Sequence, residues 1–249
     1  MAWQKNGEDA NPSLSSLRVI PWWTDTCVDF IIGVLKWLPN YYRRPIRILE
    51  LGSGNSTLFF LSKGCHVRSY KSDSKWAAQI STIYTTWFTS ANVGSSNAQD
   101  PDLILVEYAP TILPNCFSHN IATSDIIIID ADPRDIGLKT AIDFMTTMQL
   151  LVIDNWNFQC YSEIQKSKII HDPSLTIMHF QQQNGPFRHC VKDKFGWEAP
   201  HEWVSSIVIH NDSIFNRCHI TTRGLPQKPL GDHPSILDNT YNLFDQKYL

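Results

Sequence analysis

Two hydrophobic periods take turns along this chain. Between Thr24 and Leu38 the apolar residues Val28, Ile31, Ile32, Leu35 and Leu38 recur at helical spacing. Thr24 or Asp25 is placed to cap that helix, and Pro39-Asn40 to end it. Ile46–Leu51 then reads as a short buried strand. Ser56 to Lys63 predicts a helix closed by Gly64, His66–Tyr70 a second strand, and Ser74–Trp87 a second helix with Ser74 as its cap. Residues 90–101 are turn-rich, and Leu103–Tyr108 is a third strand. Residues 109–124 carry two prolines and are poor helix material. Asp125–Asp130 (DIIIID) is apolar on both faces, the mark of a central parallel strand. Asp135–Met148 is a helix, Leu150–Asp154 a buried strand, Tyr161–Ile170 a helix and Leu175–Phe180 a strand. Residues 182–200 form an insertion rich in Gly, Pro and aromatics, and Trp203–His210 is the last strand. This alternation predicts βαβ units: an α/β fold with a mostly parallel sheet and helices on both faces.

The polar start suggests an arm over residues 1–23, the periodic segments a single domain over 24–222, and the turn-rich end a tail over 223–249. At 249 residues and 43% hydrophobic the chain has ample material for a core. A formal net charge of −3 gives no footprint for nucleic acid and no polybasic membrane contact. The one dense basic spot, Arg43-Arg44 with Arg47, reads as a solvated strand entry. Cys27, Cys65, Cys116, Cys160, Cys190 and Cys218 are widely spaced and include no C-x-x-C pair. That argues against a zinc site or a disulfide framework and favours a reducing, cytoplasmic setting. The first residues, MAWQKNGEDANPSLSS, lack the apolar core of a signal peptide.

In an open parallel sheet, ligands bind beyond the carboxyl ends of the strands. One such end is ILELGSGNSTLFF, residues 48–60. Gly52 and Gly54 allow a tight turn and close approach of a ligand. Ser56 and Thr57 open a helix, whose first N–H groups favour an electron-rich partner. A dinucleotide fingerprint wants Gly or Ala where Thr57 stands, and Glu50 would repel a pyrophosphate. A carboxylate there suits a ligand with a cationic amino group.

The segment ELGSGNST resembles the first motif of the class I S-adenosylmethionine (SAM)-dependent methyltransferases. SDIIIIDADPRD (124–135) and LLVIDNW (150–156) are similar to the fourth and fifth strands of a subgroup with a G-S-G-x-S-T loop, and EWVSSIVIH to its closing antiparallel strand. The likeness spans roughly residues 24–211. It implies a Rossmann-like seven-stranded sheet with the last strand antiparallel. It implies SAM as cofactor, with Glu50 helping to hold the amino-acid end through the loop or a water, Gly52, Ser53 and Gly54 in backbone contact, and Asn55 and Ser56 beside them. The family usually ends its second strand with an acid that grips the ribose. Lys71 stands there, so Asp73 is the residue expected to take over. On this reading Gly52→Val abolishes SAM binding by filling the cofactor's space.

The other strand ends carry Asp130, Asp132, Asp154 and Asn155. Asp130 is the candidate general base and a SAM-side acceptor, and Asp132 the second catalytic candidate. Asp130, Asp154 and Asn155 offer oxygen ligands of the kind Mg²⁺ prefers, a pattern similar to the metal-dependent catechol and caffeoyl-CoA O-methyltransferases. Against this, Asp154-Asn155 suits a plain Asx-turn. Arg134 could pair with a substrate anion or simply face solvent. Trp156 is the best aromatic candidate for the pocket among Trp22, Trp23, Trp76, Trp156, Phe158 and Trp197. His189 and His201 could act as bases or be structural. The expected activity is methyl transfer to a small-molecule or glycan-like acceptor. A non-catalytic methyltransferase-like binding or scaffold protein is the alternative, and a NAD-dependent oxidoreductase is disfavoured by Glu50 and Thr57.

Overall fold

Four consecutive isoleucines set the architecture. In the computed structural model, which describes residues 21, 23–71, 73–91, 103–107, 113–157, 161–183 and 202–217, they form strand β4 (Ile126–Ile129), and all four are fully buried. Their parallel neighbours are β1 (Arg47–Leu51) and β5 (Leu150–Ile153). Outside β1 lie β2 (His66–Lys71) and then β3 (Leu103–Glu107), again parallel. Outside β5 lie β7 (Glu202–His210) and then β6 (Leu175–Gln183). The order is β3-β2-β1-β4-β5-β7-β6, with β7 antiparallel to both its neighbours. This is the Rossmann-like seven-stranded sheet that the sequence predicts, with its last strand reversed.

Alternate strand residues feed two cores. Ile48, Val67, Ile126, Ile128 and Val152 pack beneath helices α1 (Asp25–Tyr42), α2 (Asn55–Ser62) and α3 (Ser74–Ala91). Leu49, Leu51, Ile127, Ile129 and Ile153 pack beneath α4 (Leu113–Ile121), α5 (Arg134–Phe144) and α6 (Glu163–His171). A short helix, α7 (Ile214–Arg217), follows β7 and adds Phe215 to the first core. Among the described residues no helix is long and apolar enough to cross a membrane.

Beyond the longer α3 and the unexpected α7, three elements differ from the sequence expectation for a visible physical reason. Helix α1 runs through Pro39 to Tyr42. The proline removes only its own N–H from the ladder, and the extra turn has anchors of its own. The Tyr42 hydroxyl donates to the Met148 carbonyl at 3.0 Å, and Arg44 lies 4.6 Å from the Tyr42 ring centre. Arg43, at φ 54°, then closes the helix by donating its N–H to the Pro39 carbonyl at 2.8 Å. Second, the proline-bearing stretch forms α4. Pro114 falls in its first turn, where no N–H is needed, and Phe117 and Ile121 are fully buried. Third, α5 stops at Phe144. Gln149 takes over the chain there, accepting the Thr146 N–H at 2.8 Å and donating from its side-chain amide to the Ser124 carbonyl at 2.9 Å. The predicted arm and tail fall almost wholly outside the described residues, as does most of the 182–200 insertion.

Asp125 fastens the end of the sheet opposite the glycine loop. Its carboxylate takes two hydrogen bonds of 2.7 Å from the Arg44 guanidinium and one of 2.8 Å from the Arg47 N–H. Its own carbonyl accepts the Leu150 N–H at 3.1 Å. The basic spot seen in the sequence is therefore partly spent inside the fold. Asp125→Ala is expected to cost about 2 kcal/mol in urea unfolding, below the cost of breaking a fully buried pair because Arg44 is 32% exposed. A loss under ~0.5 kcal/mol would reduce the pair to a surface contact.

Candidate active site

From β1 the chain steps outward to β2 and β3; from β4 it steps the other way to β5. The crevice at such a reversal lies between the carboxyl ends of β1 and β4. Residues 52–54 follow the first end and 130–132 the second. The two glycines there have different tasks. Gly52 has φ +115°, and a Cβ on it would lie 2.8 Å from the Asp130 carbonyl carbon and oxygen and from the Ala131 Cβ. It is glycine because the two strand ends touch. Gly54 has φ −180°, extended backbone open to any residue, and a Cβ there would meet nothing within 4 Å. The accessible backbone of the loop is thus Gly54-Asn55, at the head of α2, where the first N–H groups have no partner within the helix. Gly52→Val would break the packing of β1 on β4 rather than fill a ligand's space, which corrects the sequence-based expectation for that substitution.

Glu50 explains the polar residues around the glycines. Its carboxylate is fully buried and accepts hydrogen bonds from the hydroxyls of Ser56, Thr57 and, at 2.7 Å, Ser69. The Thr57 hydroxyl in turn accepts the Gly54 N–H at 2.9 Å. One carboxylate therefore binds β1, the head of α2 and β2 together and fixes the loop's path. Burial pushes its pKa up to about 7, outweighing the three hydroxyl donors, with Asp130 adding to the rise. Glu50 acts on the crevice through the loop. Of the other predicted loop residues, Ser53 and Ser56 are buried and Asn55 is half-exposed.

Across the crevice, Asp130 meets Arg134 and Asp154. The Arg134 guanidinium lies 3.4 Å from Asp130 Oδ1 and 3.9 Å from Asp154 Oδ2. It donates to the Asp154 carbonyl at 2.9 Å and is 3.5 Å from the Tyr161 hydroxyl. Arg134 was open in the sequence to a substrate anion or to solvent; the structure turns it inward onto these groups. Burial opposes its charge, but Tyr161, Asp130 and Asp154 together hold its pKa above the ordinary value. Desolvation raises the pKa of Asp130, against the pull of Arg134, Asp154, the Trp23 indole and Lys71. The Asp130 side chain is still 20% exposed, while that of Asp154 is 3% exposed. Asp132 stands on the exposed rim ahead of α5, and Asp73 is exposed at the head of α3, its carbonyl accepting the Ala77 N–H at 3.0 Å. Lys71 closes β2 in register with Glu107.

The start of α1 roofs this end of the sheet. The Thr24 N–H donates to Ser205 Oγ at 3.1 Å, and that hydroxyl donates to Asp154 Oδ1 at 3.3 Å. Trp23, Thr24 and Cys27 are fully buried beside it, and the Cys27 thiol is pushed up in pKa by burial and then by Asp154. Reading the sequence for strand ends missed Ser205 and Tyr161. The signal for Ser205 was its place in WVSSIVIH, since a hydroxyl in the middle of a buried strand needs a partner. Trp156 is a core residue, not a pocket wall: it is 1% exposed and packs 5.6 Å from His179 and 6.1 Å from Tyr161. Asn155 sits in the turn after β5 with φ 54° and is 5% exposed. Among the described residues no group of three or more His, Cys, Asp or Glu is placed to hold a metal ion. Trp22, Phe158, His189, Trp197 and His201, and the side chain of Trp76, lie outside the described residues.

No protein-family model matches the chain, and no curated protein matches it in sequence. Solved structures do resemble it. A candidate caffeoyl-CoA O-methyltransferase from Staphylococcus aureus is 15% identical, with a TM-score of 0.49 and coverage of 79% of this chain and 92% of that one. An O-methyltransferase from Streptomyces achromogenes involved in tomaymycin synthesis, in complex with SAM, is 13% identical, with a TM-score of 0.47 and coverage of 71% and 78%. A Podospora anserina methyltransferase bound to SAH is 16% identical, with a TM-score of 0.43 and coverage of 74% and 77%. The reading of the site rests on this chain's own residues.

Glu50 makes stability depend on pH. Its folded pKa of about 7 lies above the ordinary 4.5, so between those values the folded state holds the extra proton. Its contribution is full below pH ~4.5 and is lost as pH rises through ~7, by at most ~3 kcal/mol. Urea unfolding across this range is expected to show that decline in the wild type and a flatter profile in Glu50→Gln. Parallel profiles would mean that Glu50 is ionised throughout.

Proposed function

We propose that the protein is a SAM-dependent methyltransferase acting on a small-molecule or glycan-like acceptor. The observation that carries this is the open backbone at Gly54. It is extended and half-exposed, with no atom within 4 Å of where a Cβ would stand, and it lies at the head of α2 in the crevice between β1 and β4. Asp130, the partly exposed carboxylate at the end of β4, suits a ligand bearing an ammonium and a sulfonium better than one bearing a pyrophosphate. In this reading Gly54, Asn55 and the first N–H groups of α2 hold the amino-acid end, with Gly52, Ser53 and Ser56 shaping the loop and Glu50 pinning it. Asp73 serves the ribose side from the head of α3, and Asp130 closes the pocket from β4.

SAM, when bound, supplies an electrophilic methyl group. The chain's task is to place the acceptor hydroxyl or amine in line with it, and positioning of this kind accounts for most of the rate gain in such transfers. Asp130 accepts the acceptor's proton as the new bond to carbon forms. It is the partly exposed carboxylate of the crevice, and its raised pKa makes it a stronger base than an ordinary aspartate. Asp132, on the rim, is placed to steer the acceptor rather than to take its proton. Lys71, in the place of the family's ribose acid, favours a second reading: a methyltransferase-like protein that binds but does not catalyse.

Calorimetric titration with S-adenosylhomocysteine, with NAD⁺ as control, tests the cofactor. Binding in the micromolar range to the first and none to the second is expected. Gly54→Ala should cost under ~1 kcal/mol of stability, since its backbone is extended, and should weaken S-adenosylhomocysteine by about tenfold or more. Unchanged affinity in that variant would remove the loop from the site. Absence of binding in the wild type, with acceptor mixtures added, would leave the non-catalytic reading in front.

A further inference from the structure

We propose that Arg134 is the resident cation of the crevice: its guanidinium occupies the position between Asp130 and Asp154 that a divalent metal would need. The sequence pattern Asp130…Asp154-Asn155 offers oxygen ligands to Mg²⁺, and the structure sets a protein cation against two of those three residues, Asp130 and Asp154. Arg134 contacts Asp130 twice, at its carbonyl (3.3 Å) and at Oδ1 (3.4 Å). It contacts Asp154 at its carbonyl (2.9 Å) and stands 3.9 Å from Oδ2. Its side chain is 14% exposed, so solvent does little to screen it.

Position on the helix strengthens the inference. Arg134 is the first residue of α5, where the helix dipole disfavours a positive charge. It is held there by the two carboxylates and by Tyr161, whose hydroxyl also donates to the Asp154 carbonyl at 2.7 Å. A dication entering here would displace or repel a buried guanidinium, and Mg²⁺ asks for near-octahedral oxygens at about 2.0–2.1 Å. The residues present therefore do not fit a metal. Asp154 is further committed to Ser205, which ties it to the roof formed by α1. If the methyltransferase reading above holds, its chemistry runs without a divalent ion, and Arg134 is a positioning residue that orients Asp130.

The test uses Mn²⁺ as probe, followed by electron paramagnetic resonance on the full chain. The wild type is expected to take up no stoichiometric Mn²⁺ at ~1 mM. Arg134→Met keeps the length and removes the charge, and it should bind one Mn²⁺ at least ~10-fold more tightly than the wild type. Asp154→Asn added to that variant should abolish the gain, and Arg134→Lys should stay as free of metal as the wild type. Stoichiometric Mn²⁺ in the wild type that Asp154→Asn removes would overturn the proposal without need of any Arg134 variant. So would a folded Arg134→Met protein with no gain. S-adenosylhomocysteine binding is measured in the same samples with EDTA and with Mg²⁺. Failure to bind it would sink the cofactor reading and leave the metal result standing, whereas binding that needs Mg²⁺ would overturn metal independence.

Discussion

A single buried carboxylate organises the glycine-loop end of this molecule. Glu50 gives up water and receives three hydroxyl donors, one from β2 and two from the head of α2. Removing any donor would leave a buried acid short of partners, a costly state in a low-dielectric interior. The arrangement is therefore closed on itself, and it dictates the route of residues 52–54. Through Thr57 the same network reaches the Gly54 N–H and turns that backbone outward. Gly52 then fits against Asp130 and Ala131 because no side chain intervenes. These two contacts set the shape of the chain between the carboxyl ends of β1 and β4.

Its far wall obeys the same economy. Asp130 and Asp154 leave two adjacent strand ends, side by side with little water to serve them. Arg134 joins them from the head of α5, and Ser205 joins Asp154 to the start of α1. Polar groups taken out of water are matched to partners within the fold. Asp130 keeps a side chain that is 20% exposed, where that of Asp154 is 3% exposed.

Fold and activity are separable. The proposed chemistry accordingly stands on Gly54, Glu50 and Asp130, and the proposed absence of a metal on Arg134.

Much of this was legible in the chain itself. Periodicity alone located the strands, because a four-isoleucine run can be satisfied only between two helical layers, and DIIIID and LLVID therefore had to be central. The glycine loop and the strand-end acids marked the carboxyl end of the sheet as the candidate site because those residue types are poor choices for a core. Other features were out of reach. Pro39 failed to end α1 because Tyr42 finds the Met148 carbonyl, 106 residues away. The two glycines look alike in sequence, yet a neighbouring strand requires one and solvent faces the other. Arg134 could face solvent, substrate or acid until β4 and β5 brought Asp130 and Asp154 to it. Sequence determines which groups exist and which face of an element they share. Only the tertiary structure decides which of them meet, since hydrogen bonds and charge pairs depend on distances that the chain spacing does not encode.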